Sequence, residues 1–284
     1  MRFGAVIGLS LLSLALAAPA AGASADARVA ALQVALRAHG VYMGSVDGLL
    51  GPATNEAVRT VQTRAKITVD GIVGPQTRKA LGPLGRPGLG TRSLRSGMNG
   101  WDVASLQFRL ALRGFPSGDL DGEFGPRTEA AVRRFQDWAG LVQDGEVRPA
   151  TSRALAAPPP TSPISFTRPL AGPSTDGFGP RGARMHTGLD FPAPTGTPVN
   201  AARTGVVTVA RWLEGYGNTV AIRHKLGVST LYAHLSAILV QPGQRVAVGQ
   251  PLGRVGASGS ATGPHLHFEV RVRGAAIDPL PTIR

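Results

Sequence analysis

The sequence predicts a multidomain α+β chain in which two small three-helix modules precede an all-β antiparallel domain. Three observations carry this. Residues 32–81 recur as residues 106–155 at a constant offset of 74, with 22 identities in 50 gapless pairs, so the first half contains a duplication. Within each copy, Asp-Gly steps lead into Pro-headed segments whose apolar residues return at helical spacing. Beyond an Ala/Pro run the pattern changes to short β-branched stretches broken by Gly or Pro about every ten residues, the spacing of an antiparallel sandwich or barrel.

Residues 1–25 read as an export signal. Arg2 precedes an apolar stretch over 3–18, and small residues follow, placing cleavage at Ala21–Ala23 or Ala23–Ala25. The stretch is short for a span of ~20 residues, and no positive stop follows it, which sets an uncleaved membrane anchor second. The mature chain is expected outside the cytoplasm, without a stable membrane span and as a monomer. With 284 residues, 43% of them hydrophobic and 17% charged, it can bury cores and is not a disordered polyelectrolyte. It has no cysteine, which excludes a disulfide scaffold, a Cys-ligated zinc finger, a cysteine nucleophile and a lipobox acylation site. A formal charge of +13 predicts adhesion to polyanions. Aromatic residues at 5% argue against base-stacking modules, so nucleic acid is not the expected partner of that charge.

The first module occupies residues 26–82 and the second 95–156, joined by a flexible connector over 83–94. Leu32-Gln33, Leu36 and Gly40 recur as Leu106-Gln107, Leu110 and Gly114. Asp47-Gly48, Gly51-Pro52, Thr54 and Gln62 recur as Asp121-Gly122, Gly125-Pro126, Thr128 and Gln136. A smaller echo lies inside the first copy, where Asp47-Gly48-x-x-Gly51-Pro52-x-Thr54 returns as Asp70-Gly71-x-x-Gly74-Pro75-x-Thr77. Asp-Gly favours a tight turn, and proline has no N–H to lose in a first helical turn. Leu32, Val34, Leu36, Val58, Val61 and Leu81 are the expected core of the first module. Arg148 stands where Gly74 stands, and would strain the last turn if that position needed a positive φ. These motifs, together with Ala131-Val132-x-x-Phe135-Gln136, resemble the peptidoglycan-binding domain often appended to cell-wall hydrolases. The resemblance implies that peptidoglycan is the partner of both modules. A spacer whose repeated residues are only turn formers and core is the competing reading.

Residues 157–164 form a Pro-rich linker, extended and semi-rigid, which predicts few contacts across it. Residues 165–284 then carry the candidate chemistry, in three histidine motifs. His186 and Asp190 in the first are four apart, so an imidazole and a carboxylate can meet one ion. In the second, strand alternation sends His265, His267 and Glu269 to one face and Leu266, Phe268 and Val270 inward. In the third, Leu231-Tyr232-Ala233-His234-Leu235, alternation predicts Leu231, Ala233 and Leu235 against the core. His39 and His224 stand outside the motifs and are expected at the surface. Three such motifs in one β domain suggest a shared purpose. Zinc suits mixed nitrogen and oxygen ligands, and three protein ligands leave a position for water.

His186-x-x-x-Asp190, Tyr232-x-His234 and Thr262-Gly263-Pro264-His265-x-His267-Phe268-Glu269 resemble the lysostaphin-type zinc metallopeptidases. So do Gly177-Phe178-Gly179-x-Arg181, Gly217-Asn218 and Val246-x-x-Gly249-Gln250-x-x-Gly253. The resemblance covers residues 165–279 and implies a duplicated hybrid motif-like β fold. It implies His186, Asp190 and His267 as zinc ligands, with His265 and His234 as the general base and transition-state stabiliser. The implied function is a secreted zinc endopeptidase that cuts peptide bonds in peptidoglycan stems or cross-links, held at the cell wall by its two repeats, with anionic wall polymers as further partners of the basic surface. The alternative is a non-catalytic wall-binding or amidase-activating protein with the same fold. Two decoys fall away. The stretch over 177–182 fits a dinucleotide fingerprint in letters but holds a proline and opens no helix. Gly256-Ala257-Ser258-Gly259-Ser260 reads as a turn, not a nucleophile elbow.

Overall fold

The computed structural model describes residues 25–284, so the expected export signal lies outside the described residues apart from Ala25. Among them, no helix is long and apolar enough to cross a membrane. Among the described residues six α-helices come first: α1 (Ala27–Ala38), α2 (Pro52–Arg64), α3 (Pro75–Ala80), α4 (Trp101–Leu112), α5 (Pro126–Trp138) and α6 (Pro149–Ala154). Proline opens α2, α3, α5 and α6. Its missing N–H costs nothing there, because the first-turn N–H groups have no acceptor within the helix.

A buried glutamine locks the Asp-Gly turn ahead of each of these four helices. Gln107 Nε2 donates to Asp121 Oδ1 at 2.8 Å and to the Glu123 carbonyl at 3.1 Å, while its Oε1 accepts from the Gly122 N–H at 2.9 Å. Gln33, Gln62 and Gln136 grip Asp47-Gly48, Asp70-Gly71 and Asp144-Gly145 in the same way. The glycines are required, since all four turns hold them at φ between 73° and 77°. Arg148 lies at φ −100° and Gly74 at −82°, so that position never needed glycine and the expected strain is absent.

The core of the first module extends into the second, which also has an apolar cluster of its own. Leu32, Leu36, Val58 and Leu81 pack in a single apolar cluster with Trp101, Ala104, Phe108 and Leu120. Ser105 Oγ also donates to the Ala27 carbonyl at 3.1 Å. The connector between the modules therefore does not hold them apart.

Eleven strands follow. β1 (Gly179–Arg181) and β2 (Arg184–His186) form a separate hairpin. The other nine make one antiparallel sheet: β3 (Leu189–Pro192), β4 (Pro198–Asn200), β5 (Gly205–Leu213), β6 (Gly217–Arg223), β7 (Val228–Ile238), β8 (Arg245–Val246), β9 (Pro251–Val255), β10 (His265–Val272) and β11 (Ala275–Ile277). The main path runs β11-β10-β7-β6-β5-β8, with β3 added to β10, β9 to β7 and β4 to β9. Strand β10 is central, paired with β7 along one edge and with β3 and β11 along the other.

Leu266, Phe268 and Val270 enter the core as alternation requires, beside Phe191, Val220 and Leu235. The inward set of β7 needs correction. Tyr232 enters this core, 5.3 Å from the Phe268 ring, whereas Leu231 and Ala233 are buried outside this cluster. Both faces of β7 are covered, so alternation alone could not tell inside from outside. His224 is also no surface residue: it is buried, with Nδ1 bonded to the Thr204 carbonyl at 3.0 Å and Nε2 to Thr230 Oγ1 at 2.9 Å.

The Pro-rich linker does not separate the helical and β halves either, contrary to the few contacts expected of it. Ala275 joins the apolar cluster of Phe115 and Phe135. The Ala276 N–H donates to the Gly114 carbonyl at 3.2 Å, and Trp138 Nε1 to the Val272 carbonyl at 3.3 Å. A Cβ on Gly114 would sit 2.1 Å from the Ala276 carbonyl oxygen, whereas its counterpart Gly40 faces open space. The glycine retained for a helix end in both copies thus serves a second purpose in one.

Replacing Gln107 with Leu would leave the Gly122 N–H and one Asp121 oxygen short of a buried partner. We expect a loss of about 1–3 kcal/mol in urea unfolding.

Candidate metal centre

Asp190 on β3 stands directly opposite His267 on β10 in the antiparallel register. His186, the last residue of β2, arrives from the other side through Thr187-Gly188. A Cβ on Gly188 would lie 2.3 Å from the Phe268 carbonyl oxygen, so only glycine lets the chain pass this close to β10. The three side chains are buried and their donor atoms converge. His186 Nε2 lies 3.1 Å from Asp190 Oδ1 and 3.0 Å from His267 Nδ1, and His267 Nδ1 lies 2.9 Å from Asp190 Oδ1.

The remaining ring nitrogens are tied down. His186 Nδ1 donates to the Gly177 carbonyl at 2.7 Å and His267 Nε2 to Glu269 Oε1 at 3.0 Å. Once the rings give up their protons to a metal, these bonds would select the tautomers that leave lone pairs on His186 Nε2 and His267 Nδ1, both facing the centre. Tetrahedral ligands at bond lengths of about 2.0–2.1 Å stand roughly 3.3 Å apart, within a few tenths of this triangle. Two imidazoles and one carboxylate suit a divalent transition metal better than calcium or magnesium, which take oxygen ligands. The residues fit a metal ion.

Burial opposes charge on Asp190, but hydrogen bonds from His186, His267 and Arg181 outweigh it and hold the carboxyl well below its usual range. Burial likewise opposes charge on His267, yet its bonds to Asp190 and Glu269 prevail and push it up to about 9 in the metal-free chain. Arg181 donates to the outward oxygen, Asp190 Oδ2, at 2.9 Å, which leaves Oδ1 for the centre.

Glu269 is fully buried beneath the centre. It accepts from Tyr216 OH at 2.8 Å, Arg271 Nε at 2.6 Å and Thr187 Oγ1 at 2.5 Å, besides His267. Burial would raise it, but Arg271 and His267 hold it far below the ordinary range. Burial and the neighbouring Glu269 push Tyr216 up to about 12. Sequence reasoning placed Glu269 on the site face but gave it no role, and it missed Tyr216 and Arg271 altogether. The available signal was an acid two residues after a candidate ligand on one strand, which puts both on the same face.

His234 and His265 join the ligand triangle in a cleft of about 670 Å³. Their rings lie 4.8 Å apart. His234 Nδ1 donates to the Ser258 carbonyl and His265 Nδ1 to the Gly263 carbonyl, each at 2.8 Å, so both present Nε2 as an acceptor. His265 Nε2 stands 3.8 Å from Asp190 Oδ1. Burial lowers His234 more than its bond to Ser258 raises it, which favours the neutral ring. His234 reaches the cleft only through a bulge. Between Tyr232 and Leu235 the β6–β7 register slips by one residue, and His234 takes φ 61°. Strict alternation from Tyr232 would aim it into the core, and the extra residue turns it outward. The structure thus brings His186, Asp190, His234, His265 and His267 to one place.

Residues 184–279 match Peptidase family M23, and residues 25–81 and 99–155 match a peptidoglycan binding domain family. The chain is 52% identical over 97 residues to the DD-carboxypeptidase/endopeptidase Mpg of Neisseria meningitidis, covering 34% of this chain and 22% of that protein. It is 32% identical over 199 residues to the peptidoglycan DD-endopeptidase ShyC of Vibrio cholerae, covering 64% and 45%. It is also 38% identical over 115 residues to the murein hydrolase activator EnvC of Escherichia coli, covering 40% and 27%. The chain spans less than half the length of each of these relatives.

The charge network sets a pH dependence for the metal-free chain. A histidine whose folded value is raised contributes stability that is complete below about pH 6.5 and lost as pH rises through about 9. Chelator-treated protein is expected to lose up to ~3 kcal/mol over that window in urea unfolding, and Glu269→Gln to flatten the slope. A parent profile without this slope would remove the coupling.

Proposed function

Because residues 184–279 belong to Peptidase family M23 and each N-terminal repeat to the peptidoglycan binding domain family, we propose that this chain is an exported zinc endopeptidase hydrolysing peptide bonds in peptidoglycan stems or cross-links. One observation carries the reading: the buried His186–Asp190–His267 triangle has two more imidazoles, His234 and His265, beside it in the same cleft. His186, Asp190 and His267 would hold the zinc. Bound there, zinc would supply a polarising charge for a substrate carbonyl and for water. His265, tied at Nδ1, offers its Nε2 as the general base that takes the proton of the attacking water. His234, fixed on the bulge and kept neutral by burial, accepts a second hydrogen bond from that water and stabilises the transition state by holding it in line. The Gly177 carbonyl and Glu269 keep the ligand rings oriented, and Arg181 keeps the Asp190 carboxylate turned towards them.

The repeats would bind the wall and raise the local concentration of cleavable bonds. Part of the adhesion would come from the charge of +13 acting on anionic wall polymers. The likeness to EnvC favours a second reading, a non-catalytic activator. The filled set of five chemical positions weighs against it.

Incubation of the mature protein with defined muropeptides, followed by mass analysis, should give hydrolysis products that chelator abolishes. Products absent under both conditions would favour the activator. Asp190→Ala is expected to lose metal and turnover together, whereas His265→Ala should keep its metal and lose ~10²–10⁴-fold in rate. Zinc retained in full by Asp190→Ala would overturn the ligand assignment.

Sedimentation with insoluble wall tests the repeats. Raising salt from 0.1 M to 1 M shortens the screening length from ~10 Å to ~3 Å. Binding that persists at high salt is expected of peptidoglycan recognition. Complete loss would leave charge as the whole cause.

A further inference from the structure

The β1–β2 hairpin ends in His186, and both repeats grip its tip. Arg181 pairs with Arg184 and Gly179 with His186, so Gly182-Ala183 is the turn. The Val46 N–H donates to the Gly182 carbonyl at 2.8 Å, and the Leu120 N–H to the Ala183 carbonyl at 2.7 Å. The Gly182 N–H donates to Ser45 Oγ at 3.1 Å. Arg184 forms an ion pair with Asp119, its Nη2 lying 3.2 Å from Oδ2.

Ser45 and Asp119 are 74 residues apart, as are Val46 and Leu120, and 74 is the offset of the duplication. The same loop position in the two copies therefore meets consecutive residues of one turn. The Val46 and Leu120 side chains lie in the apolar cluster that the repeats share, which fixes the two loops relative to each other. The hairpin needs such support. It has only three residues per strand and stands outside the nine-stranded sheet, and an isolated two-stranded hairpin is marginal in water. Beside the turn, Arg181 holds Asp190 Oδ2, and at the far end His186 completes the ligand triangle.

We infer that Ser45 and Asp119 are positioning residues, through which the two repeats clamp the 179–186 hairpin and set Arg181 and His186 against Asp190. This rests on the metal-centre reading and extends it: the repeats become part of the catalytic apparatus as well as its attachment to the wall. Ligand placement is sensitive to such support, because groups that orient metal ligands typically carry 10–100-fold in affinity or activity.

The test uses the full mature chain with Ser45→Ala, Asp119→Ala, the double variant and Asp119→Glu. Circular dichroism checks the fold, and Asp119→Asn replaces the double variant if that one unfolds. Amide exchange at Val46, Leu120 and the hairpin, measured on metal-free protein, is expected to speed up roughly tenfold in the double variant. Zinc affinity, read by competition with a chromophoric chelator, should fall by roughly tenfold. On a small soluble stem peptide, kcat should fall with KM unchanged, and Asp119→Glu should restore most of the loss. Unchanged exchange in the double variant, or unchanged zinc affinity and kcat despite faster exchange, overturns the clamp. A parent chain that binds no zinc overturns the metal-centre reading instead, and with it the catalytic role of the clamp, while the exchange data still decide whether the repeats hold the hairpin.

Discussion

Opposition of Asp190 and His267 across the β3–β10 ladder is the constraint on which the rest of the centre depends. A slip of one residue would carry His267 into the core and bring Leu266 or Phe268 to the cleft, because side chains alternate with period two. The core prevents this. Leu266, Phe268 and Val270 have no exposed surface, and burying each is worth about 1.5–3 kcal/mol. That sum exceeds the cost of order 1–3 kcal/mol for holding His234 in a left-handed conformation. The apolar face of β10 thus specifies where the polar face points, and the same sheet can tolerate the bulge that aims His234.

Beneath the ligands lies a second constraint, the buried Glu269. An isolated carboxylate there would cost several kcal/mol, and breaking a buried pair costs about as much. Its oxygens meet four donors, from Thr187, Tyr216, His267 and Arg271, so the charge is compensated where it stands. The arrangement fixes the tautomer of His267 and leaves its Nδ1 for the centre. Arg181 plays the corresponding part for Asp190 by occupying its outward oxygen. The centre is shaped as much by these supports as by the ligands themselves.

In the helical half, polar residues serve the fold. Each buried glutamine joins a turn to a helix, and the four copies of that lock account for most of the repeated Gln, Asp, Gly and Thr positions. Residues that differ between the copies do the outward work. Ser45 and Asp119 occupy equivalent loops with different chemistry and reach different atoms of one hairpin. Gly40 and Gly114 are identical, yet only Gly114 faces the β half closely. The duplicated halves have thus taken different roles around a shared core.

The sequence by itself determined whatever depends on near neighbours along the chain. The Asp-Gly turns, the prolines that open helices, the duplication and the inward face of β10 were all legible, because each is governed by residues within a turn or a strand. The grouping of the five candidate residues was legible through their motifs. The inward face of β7 was not, since both of its faces are covered and Leu231 looks no less apolar than Tyr232. Nor was the bulge at His234, which depends on how β7 registers against β6 and then passes to β9. His224 looked like a surface residue until Thr204 and Thr230 supplied partners for both of its nitrogens. The docking of the repeats on the hairpin was hidden for the same reason. Contacts such as Val46 with Gly182 join residues more than a hundred positions apart, and only the packed tertiary structure decides which backbone groups, distant in sequence, satisfy one another.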